Sequence, residues 1–200
     1  MKVVLHIGAH RTATTSFQHY LMENRLRLHG RGIYPMGPKE TRDGVLTGIV
    51  PVPEAGPAQE QLDHASRGLA LHLSRLRRDH VTHLIMSDEN MAGAARRNLR
   101  LRGLYRDIGE RMARFYMGFD GAIDRVVLSI RSQESLWASA LAFSVARGHR
   151  LPESELLETL SGAARSWRDV ILDLACALPG VEIQVMPYEI FGGLPERLLE

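Results

Sequence analysis

The chain opens on a short apolar run, Val3 to Ile7, that stops at Gly8. A β-branched run of that length ended by glycine predicts a buried strand and then a turn. Phe17, Tyr20, Leu21, Asn24 and Leu28 recur at three- and four-residue spacings, which predicts a helix from Thr14 until Gly30 stops it. Residues 35–58 hold five prolines and four glycines and no sustained period, so they read as one long loop, a lid or an acceptor-binding segment. Leu62, Ala65, Leu69, Leu73 and Leu76 place one apolar face on a helix from Gln61 to Arg77, and His83 to Ser87 reads as the second strand, ending in Asp88-Glu89-Asn90.

Charges and glycines interrupt the next helical pattern, from Leu99 to Phe115. Arg125 to Ile130 is the strongest strand signal, and Arg131 follows it directly. Leu136, Trp137, Ala140 and Leu141 give a helix that ends near Gly148; Leu156, Leu160, Ala164, Trp167, Ile171, Leu174 and Leu178 give one long amphipathic helix closed by Pro179-Gly180. Val181 to Met186 is the fourth strand, and another helix opens after it. Strands alternating with helices in this order predict an α/β fold, a three-layer α/β/α arrangement around a central parallel sheet, with sites beyond the C-terminal ends of the strands.

Composition narrows the class of ligand. The 200 residues are 44% hydrophobic, enough for one core, so residues 1–200 are expected to form a single domain. A formal charge of +2 with 24% charged residues supplies no field for wrapping nucleic acid, while a pI near 8.9 leaves room for a basic pocket suited to small anions. Lys2 and Lys39 are the only lysines, so the cationic chemistry falls to arginine, whose fork matches oxyanions. The single cysteine, Cys176, sits between apolar neighbours and reads as a buried, inert thiol in a reducing, cytoplasmic setting. Neither a leader nor a bilayer-spanning segment is expected at the N-terminus or elsewhere. No Cys/His cluster has ligand spacing, so no metal is expected.

The candidate chemistry begins at Gly8-Ala9-His10-Arg11-Thr12-Ala13-Thr14-Thr15. A strand, a glycine turn and a helix N-terminus point backbone N–H groups at a phosphate. Ala13 and Thr14 stand where the nucleoside-triphosphatase loop G-x-x-x-x-G-K-[ST] has its second Gly and its Lys, which counts against ATP or GTP. The segment His6 to Ser16 resembles instead the 5′-phosphosulfate loop of sulfotransferases that use 3′-phosphoadenosine 5′-phosphosulfate (PAPS), particularly bacterial ones with the pattern H-I-G-x-H-K-T-G-T-T-S. Arg11 replaces its Lys and Ala13 its second Gly. Far along the chain, Arg131 at a strand end and Ser139 eight residues later resemble the family's 3′-phosphate site. Ser87-Asp88-Glu89-Asn90 and Gly32-Ile33-Tyr34-Pro35 are similar to two further segments of the bacterial proteins.

The resemblance implies a P-loop-type sulfotransferase fold and transfer of a sulfuryl group from PAPS, leaving 3′-phosphoadenosine 5′-phosphate (PAP), to a hydroxyl or amine of a carbohydrate or small metabolite. It implies donor binding by Gly8, Ala9, Arg11, Thr12, Ala13, Thr14, Thr15, Ser16, Arg131 and Ser139. Arg11 would neutralise the leaving oxygen. His10 is a second candidate for that role or for taking the acceptor proton, against a plain loop contact; Glu89, with Asp88, is a candidate base against a helix-capping pair. His6 reads as a hydrogen-bonded core histidine. Trp137 and Trp167 read as core, with an aromatic near the adenine the lesser alternative, and Arg96, Arg97, Arg100, Arg102 and Arg106 as a solvated face, with an anionic-acceptor surface the lesser alternative. Neither nucleic acid nor a membrane is an expected partner, and oligomeric state is open. Two alternatives remain at this level: a P-loop nucleotide or small-molecule kinase, which would need Asp88 for its metal, and a non-catalytic nucleotide-binding protein of the same fold.

Overall fold

A computed structural model describes residues 1–150, 153–162 and 165–199. β1 (Lys2–His6) passes through the glycine turn into α1 (Thr14–Glu23) and α2 (Arg25–His29), and β2 (Ile33–Met36) follows. Next come α3 (Pro38–Glu40), α4 (Ala58–Arg78), β3 (His83–Ser87), α5 (Ala95–Arg100), α6 (Ile108–Gly118) and β4 (Arg125–Ile130). The chain then runs through α7 (Gln133–Ala146), α8 (Ser154–Ser161), α9 (Trp167–Ala177), β5 (Glu182–Pro187) and α10 (Tyr188–Phe191).

The strands form one five-stranded sheet in the order β2-β3-β1-β4-β5, with every pair parallel. Leu5 lies opposite Met86 on β3 and Val126 on β4, so β1 is the centre of the sheet. Val3, Leu5, Leu84, Met86, Val126 and Leu128 are fully buried, and with Leu69 of α4, Met112 of α6 and Leu174 of α9 they form the main core on one face. On the other face Phe17 and Leu21 of α1 pack with Leu28, Ile33 and Ile85. Helices therefore cover both faces of a parallel sheet, which is the three-layer arrangement the alternation predicts.

Several elements differ from the sequence expectation. β2 is a fifth strand; Pro35 inside it weakens the strand signal, and β2 tolerates a residue without an N–H because it is an edge strand. The helix expected from Thr14 to Gly30 breaks at Asn24, whose side-chain amide donates to the Tyr20 carbonyl at 2.9 Å. Residues 35–58 are largely structured: a π-turn spans Thr41–Val45 and a 3-10 turn Pro53–Ala55, Thr41 and Ile49 are buried, and Arg114 donates to the carbonyls of Gly48, Ile49 and Ala58. The 99–115 pattern resolves into α5 and α6, separated by a turn in which Arg102 and Tyr105 have positive φ.

The expected long helix around Leu156–Leu178 is two helices, with Ser166 and Asp169 forming a capping box at the start of α9; Ala164 lies outside the described residues. Cys176 is exposed rather than buried, since the buried stripe of α9 runs through Val170 and Leu174 instead. No helix among the described residues is long and apolar enough to cross a membrane.

The three central strands are tied at their C-terminal ends by one side chain. His6 is 1% exposed; its Nδ1 lies 2.8 Å from Ser87 Oγ on β3 and its Nε2 3.1 Å from Ser129 Oγ on β4. Burial moves its pKa down from the ordinary 6.5 to about 4, against a small opposing pull from Glu89. The unfolded chain therefore binds a proton at His6 that the folded chain refuses, and stability falls as pH drops from 6.5 toward 4. The loss assignable to this residue is about 3 kcal/mol. Urea unfolding of the parent and of His6→Gln across that range should give curves whose difference closes by this amount toward acid; parallel curves would remove the assignment.

Candidate functional site

β1 and β4 lie side by side, but the chain leaves β1 toward β2 on one side of the sheet and β4 toward β5 on the other. Their C-terminal ends therefore flank the point where the topology switches, the place where open α/β sheets bind ligands; a narrow crevice of about 10 Å³ lies there between the loop, Ser129 and the segment from Tyr188. The loop from Gly8 to Thr15 and the residue Arg131 sit on its two sides.

The loop is held by its own short contacts. A Cβ on Gly8 would lie 2.7 Å from Thr14 Cγ2 and 3.0 Å from His6 Nε2, so only glycine lets α1 start this close to β1. Thr12 Oγ1 donates to the Ala9 carbonyl at 2.6 Å, and the Ala9 amide donates to the Ser129 carbonyl at 2.8 Å. Arg11 and Ala13 take left-handed backbone conformations, with φ of 67° and 59°. The amides from Arg11 to Ser16 then find no backbone acceptor among the described residues, and the first helical bond of α1 begins at Phe17. A run of free N–H groups at the positive end of a helix is an oxyanion cradle.

Arginines close the cradle from the far side. Arg11 Nε donates to Ser139 Oγ on α7 at 3.0 Å, and its guanidinium stacks 4.7 Å from the Phe143 ring centre. Arg131 Nη1 donates to the Arg11 carbonyl at 3.2 Å, its guanidinium lies 4.7 Å over the Tyr188 ring, and its Nε is buried with no acceptor among the described residues. Trp167 Nε1 donates to the Arg131 carbonyl at 2.6 Å, which sets the backbone at the end of β4. The sequence-selected Arg11, Arg131 and Ser139 are thus brought together, with Arg11 rather than Arg131 holding Ser139. Thr15 and Ser16 are exposed; Thr14 is buried with its methyl against Gly8.

At the end of β3 the two carboxylates differ. Asp88 is 3% exposed and accepts from Thr41 Oγ1 at 3.0 Å, Arg42 Nε at 2.9 Å, Arg42 Nη2 at 2.6 Å and the Asn90 amide at 2.9 Å. The last of these is the capping contact weighed from sequence, and the set leaves Asp88 no free lone pair for a metal. Glu89 is less enclosed. It accepts from Gln18 Nε2 at 2.9 Å and Arg42 Nη2 at 3.3 Å. Among the described residues no group of His, Cys, Asp and Glu has the arrangement of a metal site.

His10 belongs to a network that the sequence did not announce. Tyr105, 2% exposed, accepts the His10 amide at 2.9 Å and lies 2.9 Å from His10 Nδ1, while His10 Nε2 lies 3.2 Å from Asn90 Oδ1. Asn90 Oδ1 can only accept, which puts the imidazole proton on Nε2 and makes the Tyr105 hydroxyl the donor to Nδ1. Burial lowers the pKa of His10, outweighing the opposing pulls of Asn90, Glu89 and Asp88, and pushes the Tyr105 hydroxyl up. His10 is therefore a neutral imidazole with a fixed tautomer. Tyr105 is 95 positions from His10, and its neighbours Leu104 and Arg106 carry no local signal of the contact. Gln18 and Arg42 were missed for the same reason.

The fold is of sulfotransferase type. Among solved structures the chain is similar to a sulfotransferase from Alicyclobacillus acidocaldarius, with a TM-score of 0.54 and 14% sequence identity over 100% of this chain and 78% of that one. No protein-family model matches the chain, and no curated protein matches it in sequence.

Two substitutions probe the loop. Ala13→Gly removes a Cβ from a left-handed position and should raise unfolding free energy by about 1 kcal/mol in urea titrations; no change or a loss would mean that Ala13 is unstrained. Tyr105→Phe leaves the partly buried His10 amide without its acceptor and should cost about 1 kcal/mol. Imidazole nitrogen shifts should then report a mixture of His10 tautomers in place of a single one.

Proposed function

We propose that this chain transfers a sulfuryl group from PAPS to a hydroxyl or amine, with a carbohydrate or small metabolite as acceptor. One observation carries the reading: the amides from Arg11 to Ser16 have no backbone acceptor among the described residues, and Arg131 and Ser139 are drawn up beside them through Arg11. Two adjoining sets of oxyanion donors, one from the backbone of the loop and one from the side chains of Arg131 and Ser139, suit a ligand that carries more than one anionic group. The residues present fit that donor, because the loop offers backbone donors and Arg131 has a buried Nε without an acceptor.

The donor would supply the sulfuryl group and leave as the bisphosphate. In this reading the amides of Arg11 to Ser16 hold the 5′ end, and Arg131 with Ser139 holds the 3′-phosphate. Arg11 offsets the charge that builds on the bridging oxygen as its bond to sulfur breaks. His10, neutral and protonated at Nε2, can only donate there in its present tautomer, which favours a stabilising role over that of a base. Glu89 takes the proton from the acceptor as the new bond to sulfur forms. The kinase alternative loses support because Asp88, the carboxylate it would need for a metal, already accepts from Thr41, Arg42 and the Asn90 amide.

Calorimetric titration separates these readings. PAP should bind, ATP with Mg²⁺ should bind far more weakly, and Arg131→Leu should weaken PAP at least tenfold, about 1.4 kcal/mol. Tight ATP binding with none of the bisphosphate would end the sulfotransferase reading. In a radiolabelled sulfate assay over an acceptor panel, Glu89→Gln should lower kcat by about 10²-fold or more with PAP affinity unchanged. A fully active Glu89→Gln would remove Glu89 as the base, and a chain that binds PAP but transfers to no acceptor would be a binding protein.

A further inference from the structure

A second basic feature lies apart from the phosphate loop, between α5 and the C-terminal half of α7. Here a cleft of about 290 Å³ is floored by Leu99, Leu141, Val145 and Leu156. Leu99, Leu141 and Leu156 are partly buried and pack on the main core, so the floor is an extension of that core and not a set of loose side chains. Three arginines stand on its rim, Arg96 and Arg100 from α5 and Arg150 from the turn after α7, with His149 beside them. Among the described residues no carboxylate lines it.

The arginines of this region divide into two groups. Arg97 is paired with Asp107, and Arg102 with Glu155 at 2.6 Å, so their charges are answered within the fold. Arg96, Arg100 and Arg150 form no ion pair and no side-chain hydrogen bond among the described residues, and these are the ones that rim the cleft. Arg106 also forms no ion pair among the described residues but lines a different cleft, together with Glu158, Asp169 and Asp173, whereas Arg96, Arg100 and Arg150 converge on this apolar hollow. Positive charge without a counter-ion above an apolar floor complements a ligand with a negative head and an apolar body. The volume is near the lower end of small-molecule sites, roughly 300–1,000 Å³, which suits one small molecule.

We infer that this cleft binds a small amphiphilic anion: a carboxylate, sulfate or phosphate held by Arg96, Arg100 and Arg150, with its apolar portion on Leu141, Val145 and Leu156. The site is separate from the donor-binding residues. Arg11 meets α7 through Ser139 and Phe143, whereas the cleft uses Leu141, Ser144 and Val145 on another side of the same helix. The ligand can therefore be present together with a nucleotide.

Octyl phosphate, octyl glucoside and octyltrimethylammonium, each kept monomeric, test this by calorimetry on the full chain with saturating PAP present. Octyl phosphate should bind in one-to-one ratio, and the neutral and cationic probes at least tenfold more weakly. The double variant Arg96→Gln/Arg100→Gln, both at exposed positions, should weaken octyl phosphate at least tenfold and leave PAP affinity unchanged. Methyl resonances of Leu99, Leu141 and Val145 should shift in the parent on addition of octyl phosphate. Equal binding of the three probes, binding indifferent to the double variant, or association with phosphatidylglycerol vesicles but not with monomeric octyl phosphate would each overturn the proposal. A failure of PAP to bind would count against the sulfotransferase reading alone, because the octyl phosphate titration can be repeated without it.

Discussion

Everything at the site depends on how closely α1 approaches the end of β1. Gly8 permits that approach because a single added carbon would collide with Thr14 and with the His6 ring. His6 in turn is fixed between Ser87 and Ser129, one on each neighbouring strand. The sheet edge that carries the loop, the strand that carries Glu89 and the strand that carries Arg131 are thus referenced to one buried imidazole. The amides of the loop are left without backbone acceptors among the described residues where this junction is tight and Arg11 and Ala13 adopt left-handed conformations. The shape of the loop is set by backbone, and the side chains of Arg11 and Arg131 are added to it.

The sequence made the local parts of this arrangement readable. Val3 to Ile7 and Arg125 to Ile130 are apolar runs of strand length, and Gly8 and Arg131 mark their ends, so two walls of the crevice could be placed from spacing alone. β2 was hidden because Pro35 belongs to an edge strand and contradicts the average strand composition. The single long helix expected near Leu156–Leu178 failed because three-and-four spacing continues across a break when the residues of both helices face the same core. Cys176 was misplaced for a related reason: apolar neighbours raise the expectation of burial, but on a helix the direction of the buried stripe decides. Tyr105 and Arg42 could not be found this way at all, since their partners lie 95 and 46 positions away and only the closed fold brings them together.

Arginine is used in three distinct ways in this chain. Arg42 and Arg114 hold the proline-rich segment 35–58 in place, one through Asp88 and the other through backbone carbonyls. Arg11 and Arg131 present guanidinium groups to the crevice while stacked on Phe143 and Tyr188, which limits their freedom before any ligand arrives. Arg96, Arg100 and Arg150 have no ion-pair partner among the described residues around the α5–α7 cleft. A nearly neutral chain can thus concentrate positive charge in two places because carboxylates such as Asp107 and Glu155 neutralise the arginines between them.

The contact from the Trp167 indole to the Arg131 carbonyl has a practical consequence. The same ring lies tilted 6.1 Å from Tyr105, the residue that fixes His10, so one chromophore touches the supports of both walls of the crevice. Trp137, the only other tryptophan, is buried in the main core at 6% exposure. The intrinsic emission of Trp167 is therefore a built-in optical readout of the state of the crevice, and Trp137 supplies a reference signal from the interior of the same molecule.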